Sequence, residues 1–448
     1  MVRSNDVALL QGMAKLAADA AARGSRARAL HWVRKFVRAD AFVRAHAVRS
    51  PSRYYTQKSM SFFPTWNAIK EVKDDGAYME FLGVPVFLFH DMLAEFKPHL
   101  PKGLCAEPDA KLAVPRAPGR PPSTFTAEDV LAICLRRCQM KRRAHKSLQT
   151  DFGRVDSTMG RYVRAGRKAL RDMLRSWPPA AVCYPSEASA DALMEAMLKN
   201  NGPPPAGFVP GRLLLGIDGT HTPVEKPSND AWQRLWKGIK GHILNNIIAF
   251  CVDGTISDYV LAGFGCSHDT AVAKPLFDRL NSPTCNPAKV GAVLDNGYSS
   301  FVNAGTNGKP INVRPWKNGE RVRADKFAFS KKVSAWVTRA RQFNEHGNGS
   351  LKRSFPLFDS KAPVSNEAEF AAHVDDMECC IRLYNARTRI VGYAQIKSTY
   401  MPHISKNFQE QLTANTNIKE YMKKREEAWK LAVWKAAAAG KAAMDVDI

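Results

Sequence analysis

Leu213-Leu214-Leu215-Gly216-Ile217-Asp218-Gly219 is an apolar run closed by an acid and a glycine. A run this short and this apolar, bounded by turn residues, predicts a buried strand that ends at Asp218. An acid at the end of a core-forming strand is costly unless it is paired or holds a cation. Gly219 behind it lets a ligand or a second backbone come close. Downstream, Asn246 to Val252 and Ile256 to Ala262 flank Asp253-Gly254, a hairpin signal. Thr270 to Leu280 suits a helix, and Val290 to Leu294 a short buried strand stopped by Asp295-Asn296-Gly297-Tyr298. Pro310 to Val313 reads as another strand, and Lys326 to Arg341 as a helix running on toward Leu351. Strand, hairpin, helix, strand, strand, helix is the order of a mixed-sheet α/β domain, placed at 203–390.

Upstream the texture is helical. Phe89, Met92, Leu93 and Phe96 repeat at helical spacing before Pro98, so 61–105 forms helices. Residues 106–123 are Pro-rich and aperiodic, a linker. Within 124–180, Thr126 caps a helix over Ala127 to Cys138, and a second runs near Ala144 to Phe152. Gly153-Arg154-Val155 makes a turn, and Asp156 or Ser157 caps a long third helix. Met159, Val163, Leu170 and Leu174 form its core stripe. Arg161, Arg164, Lys168 and Arg171 share another face, which reads either as a solvated surface or as a recognition helix of a helix-turn-helix unit. The tail, 391–448, is basic and helical.

The chain has 448 residues, enough for two or three domains, and its 66 Lys+Arg against 42 Asp+Glu leave a net charge of +24. Such an excess predicts a polyanionic partner, nucleic acid or an anionic membrane surface. The longest apolar run, Ile247 to Val252, is far below the ~18 residues of a membrane span, so no span is expected. Of the two polyanions nucleic acid is the commoner and the partner expected, with no membrane. Residues 1–60 are Arg-rich and poor in acids, a composition shared by transit peptides and by flexible arms that lie on DNA phosphates. The nine cysteines contain no Cys-x-x-Cys pair and read as reduced thiols. Cys134, Cys138 and His145 do not form a zinc-ligand pattern. No Walker-type loop occurs, and Gly263-Phe264-Gly265 lacks a third glycine, so no nucleotide cofactor is expected.

Asp218, Asp295 and Glu345 are the acids that stand where sites form, the last at or beside the end of the late helix. Three carboxylates converging from two strands and a helix would hold two divalent ions through oxygen ligands. Ordinary turn acids are the competing reading, since Asp before Gly is a common turn pairing. His221 and His268 read as structural hydrogen-bonding groups, Asp253 as a hairpin turn residue, and Asp269 as a cap for the following helix.

Several motifs resemble one family. Ile217-Asp218-Gly219-Thr220-His221 resembles the first-acid motif of the PIF/Harbinger transposases, of the DDE-type endonuclease superfamily. Gly265-Cys266-Ser267-His268-Asp269 is similar to that family's Gly-Ser-x-His-Asp segment, and Leu294 to Tyr298 to its second-acid motif. Glu345, Gly349, Leu351, Lys352 and Phe355 resemble its third-acid signature, with His346-Gly347-Asn348 standing where the family favours an apolar or aromatic residue before its glycine. Leu383-Tyr384-Asn385 stands where the family has Leu-His-Asn, and Asp151-Phe152-Gly153 with Ser157-Thr158 resembles its helix-turn-helix. The likeness spans roughly residues 60 to 390, in the family's order.

The resemblance implies an RNase H-like catalytic domain preceded by an all-helical helix-turn-helix domain. It also implies nuclear cut-and-paste DNA transposition dependent on two Mg2+ (or Mn2+) ions held by Asp218, Asp295 and Glu345. Lys352 and Arg353 would join Ser157, Thr158, Arg161, Arg164 and Lys168 on double-stranded DNA, both transposon ends and target. A Myb-like companion protein and a homo-oligomer assembled on DNA are the implied partners. A domesticated DNA-binding relative without turnover, and a basic α/β protein using its acids structurally, are the two alternatives.

Overall fold

The computed structural model describes residues 65–105, 125–140, 145–153, 156–227, 230–238, 241–305, 309–316, 327–364 and 366–391. The basic arm, the Pro-rich linker and the tail beyond 391 lie outside the described residues. The chain divides into two compact units. One takes residues up to Met173 with Ser354–Ser360 and Asp375–Cys379; the other takes Leu174–Arg353, Lys361–Val374 and the chain from Cys380.

The first unit is helical, with α1 (Thr65–Val72), α2 (Asp75–Leu82), α3 (Val86–Phe96), α4 (Ala127–Cys138), α5 (His145–Phe152) and most of α6 (Asp156–Ser176). Its core is an aromatic cluster in which Trp66 meets Tyr78, Phe81, Phe89 and Phe152 at ring separations of 5.6 to 6.4 Å. The expected cap at Thr126 is present as a reciprocal capping box with Asp129. Asp129 also accepts from the Trp66 indole at 2.9 Å, so one carboxylate both starts α4 and anchors α1. Met159, Val163, Leu170 and Leu174 are all buried, as their spacing predicts. On the basic face Arg161, Arg164 and Lys168 are exposed. Lys168 pairs with Asp172 at 3.3 Å, and the half-buried Arg171 donates to Asp375 at 2.8 Å. Two further Arg–Asp pairs are internal: Arg136 to Asp151 and Arg137 to Asp376, each at 2.9 Å. Cys134 is buried against Gly166, and burial pushes its thiol well above the usual range.

The second unit holds α7 (Glu187–Asn201), β1 (Leu213–Pro223), α8 (Asp230–Trp236), β2 (Lys237–Gly238), β3 (Gly241–Cys251), β4 (Ile256–Phe264), α9 (Asp269–Leu280), β5 (Gly291–Leu294), β6 (Asn303–Ala304), β7 (Ile311–Val313), α10 (Phe327–Ser354) and the larger part of α11 (Glu367–Ile390). The strands form one mixed sheet in the order β2-β3-β1-β5-β7-β6, with β4 also paired to β3. β1 is antiparallel to β3 and parallel to β5, and β5 is parallel to β7. This is the mixed α/β architecture expected, and it is consistent with an RNase H-like domain. The Asp253-Gly254 hairpin forms as predicted: Gly254 takes φ +89°, and Asp253 accepts from both the Thr255 N–H and its hydroxyl, at 2.8 and 2.7 Å.

Two boundaries differ from the sequence expectation. β1 does not stop at Asp218 but runs five residues further, because the longer partner β3 continues to pair with it through Pro223↔Ile243. Only the β5 side ends, at Ile217↔Leu294. The late helix does not end near Glu345 either. α10 carries on to Ser354 through His346-Gly347-Asn348-Gly349, since that stretch has a packing partner. Gly347 lies on the Phe250 ring, where an added Cβ would come within 2.7 Å of ring carbons.

Candidate active site

Because β5 pairing stops one residue before Asp218, that side chain stands at a place where β1 has a neighbour on one side only. Asp295 follows the last residue of β5 directly and starts a short 3-10 turn, Asn296–Phe301. Asp218, midway along β1, and Asp295, just past the end of β5, thus each stand one residue beyond the last parallel pair, Ile217 with Leu294. Asp218 accepts from its own Gly219 N–H at 2.9 Å and from the Asn348 side-chain amide at 3.2 Å. Burial pushes its carboxyl up to about 6; the Asp295 and Asp269 charges add to the rise, while the Gly219 N–H and Arg341 oppose it.

Helix α10 supplies the other wall. Asn344, Asn348 and Lys352 recur every fourth residue, so they share one stripe. The Asn344 amide lies where a Cβ at Gly216 would stand, Asn348 reaches Asp218, and Lys352 donates to the His221 carbonyl at 3.2 Å. One helical stripe therefore reads β1 from Gly216 to His221. Glu345 sits beside that stripe. Its carboxylate, 66% exposed, accepts from Arg341 one turn earlier at 3.3 Å, and the same guanidinium donates to Asp295 at 3.0 Å. Arg341 thus links the second and third of the sequence-selected acids, while Asn348 meets the first. Arg353, on the outer side of α10, is exposed and donates to the Gly349 carbonyl.

Sequence reasoning missed part of this constellation. Asp269 is not the cap of α9; His268 is, accepting from the Thr270 N–H. Freed from capping, Asp269 accepts from Asn245 at 2.6 Å, and its other oxygen would lie 3.2 Å from a Cβ at Gly219. What approaches Gly219 is therefore a fourth carboxylate. The Tyr298 hydroxyl is buried beside it without a hydrogen-bond partner, and burial together with the nearby Asp269, Asp218 and Asp295 charges raises its ionisation far above the ordinary value. The adjacency of Asp269 to His268 in the Gly265–Asp269 segment was the available signal. Asn385 serves the fold instead: its side chain bonds both backbone groups of Ile256 and the Ala181 carbonyl, at 2.7, 2.8 and 2.9 Å. Ser157 and Thr158 have side chains outside those described.

Among the described residues, no three His, Cys, Asp or Glu side chains are gathered closely enough to grip a metal ion as they stand. The donor chemistry nonetheless suits a hard divalent cation: the carboxylate oxygens of Asp218 and Asp295, with the buried, unpartnered oxygens of Tyr298 and Asn348 as further oxygen groups.

Residues 217–385 match the family model described as DDE superfamily endonuclease. The matched span opens on β1 one residue before Asp218 and closes on Asn385, so it contains Asp218, Asp269, Asp295, Tyr298, Arg341, Glu345 and Asn348. The match supports a DDE transposase-like family and a nuclease or transposase type of function, in a superfamily that generally uses divalent metals and acts on DNA. No curated protein and no solved structure matches the chain.

Proposed function

We propose that this chain is a metal-dependent DNA transposase or endonuclease of the PIF/Harbinger type, cutting phosphodiester bonds at transposon ends and joining them to target DNA. The observation that carries the reading is the placement of Asp218 and Asp295 one residue beyond the last pair of the adjacent parallel strands β1 and β5, inside a stretch that matches the DDE superfamily endonuclease model. Asp218, Asp295 and Glu345 would hold two Mg2+ or Mn2+ ions, which when bound activate a water or 3′-hydroxyl and stabilise the leaving oxygen. The chain's own residues have the remaining tasks. Arg341 holds Asp295 and Glu345 together and offsets their charge. Lys352 and Arg353 offer cations beside the site for a DNA backbone. The exposed Arg161, Arg164 and Lys168 on α6, with Ser157 and Thr158, form the duplex-binding face of a helix-turn-helix. A nuclear site of action, a homo-oligomer on DNA and a Myb-like companion complete this reading.

Cleavage of terminal-repeat DNA in Mg2+ tests it. Asp218→Asn and Asp295→Asn should each lower cutting by orders of magnitude while duplex binding stays near wild type. Cutting that persists in either variant removes that acid from the chemistry. Wild-type protein that binds but never cuts, with Mg2+ or Mn2+, leaves the domesticated binder as the better reading.

A further inference from the structure

Asp218 has one side-chain partner from the helix that covers it, and that partner is neutral. Asn348 Nδ2 donates to Asp218 Oδ2 at 3.2 Å, while the other atom of the same amide, Oδ1, is buried and has no hydrogen-bond partner. A buried carbonyl oxygen left alone keeps its full desolvation penalty, so an orphan of this kind calls for something to face it. Its place in the fold is set by packing on both sides. Asn344 and Lys352, one turn before and after on the same stripe, are held against β1 at Gly216 and His221. The residues flanking Asn348 are both glycines, poorly suited to a helix interior. Gly347 is required by Phe250, and its contact with that ring fixes the rotation of the helix that brings Asn348 to Asp218. Around Asp218 the other charged neighbours are Asp295 and Asp269, with Arg341 the cation felt there. Carboxylates with a fixed, unpartnered neutral oxygen beside one of them are the ligand types a hard divalent cation takes from protein.

We propose that Asn348 is itself a residue of the cation site, its Nδ2 positioning Asp218 and its Oδ1 serving as a neutral oxygen donor beside that carboxylate. This deepens the metal-dependent reading above and rests on it. Asn348 acts as a positioning residue and donor, and it takes no proton in the reaction. A leucine at 348 would fill the same volume between helix and strand but would remove both the donor to Asp218 and the oxygen. An aspartate would keep oxygen donors and add charge.

The test is Mn2+ binding by the full chain, read as free Mn2+ in electron paramagnetic resonance titrations, with the metal-free melting temperature measured alongside. Wild type should bind Mn2+, and Asp218→Asn should weaken that binding. Asn348→Leu should weaken it about tenfold or more, with the metal-free melting temperature held or raised, and Asn348→Asp should bind at least as tightly as wild type. Asn348→Ala replaces the leucine variant if leucine does not fit the helix–strand gap. Mn2+ affinity unchanged in Asn348→Leu or Asn348→Ala, with wild-type binding still dependent on Asp218, overturns the inference alone. A loss of affinity that only tracks a collapse of the metal-free melting temperature in both variants overturns it as well. Absence of Mn2+ binding by wild type, or indifference of that binding to Asp218→Asn, overturns the metal-dependent reading and this inference with it.

Discussion

Replacing Asp218 by asparagine should stabilise the metal-free protein at neutral pH. The carboxyl is raised from 3.8 to about 6 by burial first and then by neighbouring Asp295 and Asp269. A folded-state value above the unfolded one means the native state binds the extra proton between about pH 4 and 6. Stability therefore falls as pH rises through that window. Above it, ionised Asp218 costs about 3 kcal/mol relative to an uncharged group. Asparagine removes that cost but is not free of consequence. Asp218 accepts from both Gly219 N–H and Asn348 Nδ2, and an amide can accept through one atom only, so one hydrogen bond worth about 1 kcal/mol is lost. The net expectation is a gain of about 2 kcal/mol at pH 7 that shrinks to nothing, or reverses, near pH 4. Urea unfolding in the presence of a chelator, from pH 4 to 8, measures it. A variant no more stable than wild type at pH 7, or a gain of equal size at pH 4, would refute the account of why this carboxylate is strained. A substitution that stabilises the fold while abolishing cutting is the pattern expected of an acid kept for function rather than structure.

Gly347→Val should lower stability by about 1–3 kcal/mol, because its side chain must displace the Phe250 ring already within 2.7 Å of a Cβ; thermal unfolding reads this directly. Arg137→Ala should cost about 1.5–3 kcal/mol, since it removes the 2.9 Å partner of the buried Asp376 carboxylate while Arg167 stays 3.8 Å from the same oxygen, and a double-mutant cycle with Asp376→Ala should show the coupling. Arg161→Ala with Arg164→Ala, both exposed on α6, should weaken duplex DNA binding and flatten its salt dependence; binding indifferent to both changes and to salt would contradict the recognition-helix proposal.

Much of the fold follows from signals that act over a few residues. Thr126 and Asp129 start α4 because a cap needs only its own next turn. Asp253-Gly254 makes the hairpin because two residues suffice to set the turn and its register. The core stripe of α6 is buried because helical period alone selects one face. Asp218 and Asp295 were legible as special for the same reason: each is a charge at the edge of an apolar run, and the cost of burying it is visible without any partner.

What the sequence by itself determined, then, is element type, strand and helix order, and which acids invite explanation. Tertiary structure decided which side chains meet them. β1 extends past Asp218 because a distant strand, β3, keeps pairing with it. Asp269 faces Gly219 because His268 takes over the cap and Asn245 draws the carboxylate inward. Above all, the rotation of α10 is set by Gly347 on Phe250 and by Asn344 on Gly216, contacts between residues about a hundred or more positions apart. That phase turns Asn348 to Asp218 and leaves Glu345 with Arg341. A helix's period is encoded in its own residues, but its phase against a strand is a property of packing, and no local pattern specifies it.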